Sequence, residues 1–222
     1  MVWLRNISIL NQVYLTILIV DIFIIIIKYS RLPNHLRPLL FLVVSDFLVE
    51  FISDYIKGTD DSNNLYLYHL YAPVEYASIA FIFYLTLGNR TIQDNIKISV
   101  FIYVIIVVIS TVYWQPLTHN NSITYMIEST FVIYWCFIFF QNILKREDLY
   151  QPEKDPTFWI IVAILIYFTG TFFTIGLIDY FIISNKTLAS MIYYATFPFS
   201  FILYLTIGLV TAMSTILSNY VE

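Results

Sequence analysis

Long apolar runs, separated by short polar breaks, dominate the chain. Seven runs stand out, near 8–28, 38–56, 66–88, 97–114, 123–144, 158–179 and 188–213. A helix needs roughly 20 predominantly apolar residues to cross a bilayer, and each run reaches or approaches that length. Strands of a membrane barrel would show alternating segments of about ten residues, so the pattern predicts helices. The breaks carry turn chemistry: Arg31-Leu32-Pro33-Asn34, Gly58 through Asn64, Gly88-Asn89-Arg90, His119-Asn120-Asn121 and Gln151-Pro152-Glu153. The first run resembles a secretory leader only superficially. It is too long, contains Asp21, and no small-residue cleavage site follows it. The expectation is one integral membrane domain over 1–222: an all-α, polytopic bundle of seven transmembrane helices.

Composition sharpens this reading. Of 222 residues, 59% are hydrophobic and only 12% charged; soluble domains are about one-quarter charged. That excludes a soluble enzyme, a nucleic-acid binder and an anchor attached to a sizeable soluble domain. The net charge of -4 is too small to imply a charged macromolecular partner, and the single Cys136 excludes an intrachain disulfide. The bilayer itself is the first partner, and the expected location is a bacterial inner membrane.

Charge also predicts orientation. Lys28, Arg31, Arg37, Arg90, Lys97, Lys145, Arg146 and Lys154 fall on one side of the predicted topology, and only Arg5, Lys57 and Lys186 on the other. Positive residues stay cytoplasmic, which puts the N-terminus outside and the C-terminus inside.

An internal repeat is expected from one match. Residues 81–88, FIFYLTLG, and 201–208, FILYLTIG, agree at six of eight positions with an offset of 120. Helices 1–3 and 5–7 would then be parallel repeats, and the uniformly apolar helix 4 the linker that inverts the second. Sugar facilitators of the three-plus-one-plus-three type are similar in topology alone, since helices 1, 2, 5 and 6 here lack interior prolines. Retinal proteins need a lysine in helix 7, and none follows Lys186. Ceramidase-type hydrolases need several intramembrane histidines, whereas only His69 lies close to a span.

The candidate chemistry is carboxylate chemistry. Asp21, Asp46, Glu50, Glu75 and Glu128 fall inside the spans, with no lysine or arginine at comparable depth. Acids in a bilayer are costly and mark function by default. These must be protonated, hydrogen-bonded to neutral groups, hydrated, or bound to a cation. At about 1.5 Å per residue, Asp46 falls near the midplane and Glu50, Glu75 and Glu128 in the outer half. Asp46, Glu50 and Asp54 share a helical face, as do Tyr68, Tyr71, Glu75 and Ser78. Tyr125 lies one turn before Glu128, and Tyr193, Thr196, Ser200 and Tyr204 line up on helix 7. Pro73 and Pro198 would kink their helices beside these faces.

A ligand site built from Glu75, Glu50, Glu128, Asp46, Tyr71, His69, Tyr125 and Tyr193 follows, open to the outside. Carboxylates and aromatic faces suit a small cation or an amine. A transporter or permease is the leading expectation, without a cofactor and with proton coupling through Asp46 or Glu75. A sensor subunit working through a separate signalling partner is the second, with a homo-oligomer the other protein association considered. The stretch after helix 7 is too short for an output domain, which favours the transporter. A metal-dependent intramembrane hydrolase using Glu50, Glu75, Glu128, Asp54 and His69 is the third. The residues set aside are Asp21, read as helix-packing glue; Asp54 and Asp179, read as solvated helix ends; and His35 and His119, read as plain loop residues.

Overall fold

The computed structural model describes residues 8–59, 63–145 and 151–217. Arg5, Asp60, Asp61, Ser62 and Arg146, used above for charge and turns, lie outside the described residues. Nine α-helices follow one another among the described residues: α1 (Ile9–Lys28), α2 (Pro38–Thr59), α3 (Leu65–Thr86), α4 (Arg90–Tyr113), α5 (Ser122–Leu144), α6 (Pro156–Gly176), α7 (Ile178–Ser184), α8 (Lys186–Tyr194) and α9 (Phe197–Leu217). Local chemistry sets their ends. The side chains of Ser8, Asn89, Asp155 and Asn185 accept the first orphan amides of α1, α4, α6 and α8. Gly88, at φ 49°, makes the abrupt turn from α3 into α4.

Five helical segments are long and apolar enough to cross a membrane: Ile9–Arg31, Arg90–Tyr113, Ser122–Leu144, Pro156–Ser184 and Thr187–Met213. The chain is therefore an all-helical, multi-pass integral membrane protein. The helices α2 and α3 are equally long, at 22 residues each, but carry much of the polar chemistry. Asp46, Glu50, Asp54 and Lys57 sit in α2, and His69 and Glu75 in α3.

Each long helix other than α4 packs on its neighbours around a ring: α1 on α2, α2 on α3, α3 on α5, α5 on α6, α6 on α9, and α9 back on α1. The helix α4 packs outside this ring against α3 and α5. Its outward residues, among them Phe101, Ile105, Val108 and Val112, are exposed and apolar, as a lipid-facing surface requires. One half of the ring is solid. Leu39, Leu42, Ile79, Phe83, Ile160, Ile164 and Ile207 meet there, each at most 1% exposed.

The seventh predicted span departs from expectation. It is not one helix over 188–213 but α8 and α9 with a turn at Ala195-Thr196. Pro198 causes no kink in mid-helix; it stands in the first turn of α9, where its missing N–H is not needed. Pro73, in contrast, lies inside α3 as expected. Between the sixth and seventh long helices, α7 and α8 form a short helical pair that the hydropathy pattern did not separate from the spans beside it.

Candidate functional site

The other half of the ring is hollow. A cavity of about 570 Å³ opens where α1, α3, α5 and α9 begin and α2 and α6 end. Ligand pockets commonly measure about 300–1,000 Å³. Among the described residues three carboxylates line it: Asp46 and Glu50 from α2, one turn apart, and Glu75 from α3. Six tyrosines surround them, Tyr14, Tyr68, Tyr71, Tyr125, Tyr167 and Tyr193, from five different helices. The pair α7 and α8 contributes Ile178, Ile182, Ala189 and Ser190 to the wall.

Each acid has a different setting. Asp46 is held: the Tyr14 hydroxyl donates to Oδ2, and Tyr71 and Tyr204 stand beside the same carboxyl. The Tyr14 ring is itself fixed edge-on against Tyr204, with centroids 5.6 Å apart, and against Phe197 at 6.4 Å. Glu50 ends a relay whose direction is forced by donor chemistry. An amide NH2 can only donate, so Asn64 donates to Ser53. Tyr68 donates its one proton to Glu50 Oε1 at 3.2 Å, so Ser53 Oγ is the donor to Tyr68 Oη at 3.0 Å. Glu75 is different again. Among the described residues no side chain hydrogen-bonds it, and the charges that bear on its carboxyl come from other acids, Glu128, Asp46 and Glu50. It is the one lining carboxyl that the protein leaves available. A cation, Lys57, exposed near the end of α2, also lines the cavity and neighbours Glu50 electrostatically.

Of the expected site residues, Glu75, Glu50, Asp46, Tyr71, Tyr125 and Tyr193 line this cavity. Glu128 and His69 do not. Glu128 is fully buried and turns to α4, where Tyr103 donates to Oε2 at 2.8 Å. Its Oε1 has no hydrogen-bond partner among the described residues. The same interface holds a second chain: Trp135 Nε1 donates to Tyr76 Oη at 3.1 Å, and Tyr76 meets Ser99 Oγ at 2.7 Å. His69 ties α3 to α4 and the following loop. Its Nε2 donates to the His119 carbonyl at 2.9 Å, and its Nδ1 meets Thr111 Oγ1 at 3.2 Å.

Three residues set aside from sequence have defined work. Asp179, in the first turn of α7, is a hub rather than a solvated end: it accepts from Asn120 at 2.8 Å, Ser122 at 2.8 Å and Gln115 at 3.0 Å. The same loop sends the Asn121 amide to the Tyr68 carbonyl at 3.2 Å. Asp54 accepts the Asn11 amide at 3.1 Å, joining α2 to the start of α1. His35 meets Thr157 Oγ1 at 2.8 Å, joining the α1–α2 loop to the start of α6. None was marked by spacing, because each partner lies at least 43 residues away in sequence.

The cavity is anionic and aromatic, with its acids fixed by tyrosine hydroxyls and one left unclaimed. Among the described residues no three His, Cys, Asp or Glu side chains are grouped to hold a metal ion. No family model, curated protein or solved structure matches the chain. The class that fold and composition define is a multi-pass helical integral membrane protein.

Proposed function

We propose that the chain is a small transporter that takes a cationic or amine-bearing ligand into the carboxylate–tyrosine cavity from the outer face. One observation carries the reading: Glu75 lines an aromatic cavity with no protein donor on its carboxyl among the described residues. An ammonium group would supply the missing donors and sit against tyrosine faces, which attract cations. The excess of lysine and arginine beyond the closed half supports an outward-facing mouth.

A second observation favours transport over sensing alone. The break at Ala195-Thr196 falls in the cavity wall, since Tyr193, Thr196, Phe197 and Ser200 all line it. Discontinuous helices at the binding site recur in transporters. The helix order also supports the three-plus-one-plus-three repeat. Exchanging α1, α2 and α3 for α5, α6 and α9 leaves the ring's neighbour pattern unchanged, with α4 as the outside linker.

The test uses a matched probe set of benzylamine, benzyl alcohol and benzoate on the purified protein. Benzylamine alone should raise the melting temperature, because a ligand at 100 times its Kd stabilises by about 2.7 kcal/mol. Glu75→Gln should fold normally and lose most of that shift. Equal stabilisation by benzoate, or an unchanged shift in Glu75→Gln, would refute the cavity reading. Counterflow of benzylamine in proteoliposomes separates carriage from binding: binding without counterflow would leave the sensor reading in its place.

A further inference from the structure

A second hollow lies on the outside of the bundle, at the end opposite the cavity mouth. It is an open groove of about 920 Å³ between α2 and α3, headed by the α1–α2 loop. Its length is hydrocarbon. Leu40, Phe41 and Val44 form one bank and Phe81 and Leu85 the other, with Phe41 60% and Phe81 50% exposed. The small side chains of Ala77 and Ser78 leave its floor open. Ser78 offers the groove no free proton, because its hydroxyl donates to the Val74 carbonyl at 2.6 Å.

The head of the groove has the opposite character. Arg37, Asn34 and Tyr29 line it. The Arg37 guanidinium lies 5.5 Å from the centre of the Tyr29 ring, and its Nε is buried without a hydrogen-bond partner. Among the described residues no carboxylate lies within ion-pair distance of Arg37. A buried, unpaired guanidinium donor is expensive. A fork of N–H donors above an apolar slot matches a phosphate joined to acyl chains. From Pro38 to Val44 the slot runs about 9 Å along α2, at 1.5 Å per residue, enough for the upper part of one chain.

We infer that the α2–α3 groove is a binding site for an anionic glycerophospholipid, its phosphate on Arg37 and one acyl chain over Ala77 and Ser78. Charge complementarity selects this occupant. Arg37 stands at the interfacial end of the slot, where headgroups lie, and basic pockets between spans select anionic lipids. The inference rests on the membrane reading and does not depend on what the cavity binds.

Native mass spectrometry of the full chain in a mild detergent tests it. The protein is offered dioleoyl phosphatidylglycerol, dioleoyl phosphatidylcholine or glycerol 3-phosphate. One phosphatidylglycerol should be retained at least ten-fold better than phosphatidylcholine, and glycerol 3-phosphate should not be retained. Arg37→Ala should abolish that preference. Arg37→Lys, which keeps charge but loses the Nε–H donor, should weaken retention several-fold and serves if the alanine variant folds poorly. Ala77→Phe, which fills the floor of the slot, should lower retention while leaving the benzylamine response intact. Equal retention of both lipids by the unaltered chain, full retention by Arg37→Lys and Ala77→Phe, or equal retention of glycerol 3-phosphate would overturn the inference.

Discussion

Gly208 of α9 lies directly against Asp21 of α1: a Cβ added at Gly208 would collide with Asp21 Oδ1. Asp21 is only 2% exposed, and no other intramembrane acid stands near it on α1. The pair therefore reads as close helix packing, with a small residue admitting a polar one. Gly208→Ala should lower stability by about 1–3 kcal/mol, the usual range for overpacking. Thermal melts in detergent measure it. Gly208→Ala with Asp21→Ala should recover much of the loss, because the second change removes the colliding atom; no recovery would place the strain elsewhere.

Asp179 holds the α4–α5 loop to α7 through three side-chain donors. Hydrogen bonds to charged groups are individually worth about 1.5–3 kcal/mol, and they share one partly exposed acceptor here, so Asp179→Ala should cost about 2–4 kcal/mol in total. Because Asn120, Asn121, Ile178 and Ile182 line the cavity, ligand stabilisation should fall with it. Asp179→Asn should retain part of both. Full benzylamine response in Asp179→Ala would show that this clasp does not shape the cavity.

His35 sets a pH dependence at the opposite end of the bundle. Burial lowers its pKa from the ordinary 6.5, and the nearby Asp155 offsets this only in part. The folded protein thus prefers the neutral imidazole. As pH falls below about 6.5, the unfolded chain takes up the proton first, and stability declines until the lowered folded value is passed. Melting temperatures measured from pH 7.5 to 5.0 should fall further for the unaltered protein than for His35→Gln. Parallel curves for the two proteins would contradict the burial argument.

The orientation has its own test. In a Cys136→Ala background, a cysteine at Asn63 should react with an impermeant maleimide from outside intact cells, and one at Glu153 should not. Both native residues are exposed at opposite ends of the bundle, so reversed labelling would invert the topology without disturbing the fold.

How much of this was legible in the sequence depends on the range of the interaction. The apolar runs marked the helices because a bilayer forces every backbone group to be satisfied within its own segment. The shared faces of Asp46 with Glu50, and of Tyr71 with Glu75, followed from helical period alone, and both faces do line the cavity. Glu128 was expected at the same depth as Glu50 and Glu75, yet depth does not fix azimuth. Only packing turned it from the cavity to Tyr103 of α4. The matched glycines of the suspected repeat make the same point. Gly88 ends α3 at positive φ, while Gly208 lies inside α9 against Asp21, so identical letters do different work.

Sequence by itself determined the membrane class, the positions of the long helices and the presence of uncompensated acids, because these depend on local hydropathy and on which residue types are present. Tertiary structure decided the rest. It brought Asn120 to Asp179, His35 to Thr157 and Tyr14 to Asp46 across 59, 122 and 32 residues of chain. It also broke the last span at Ala195-Thr196 beside the cavity. Such contacts depend on how helices pair and rotate, and hydropathy along one chain carries no signal for either.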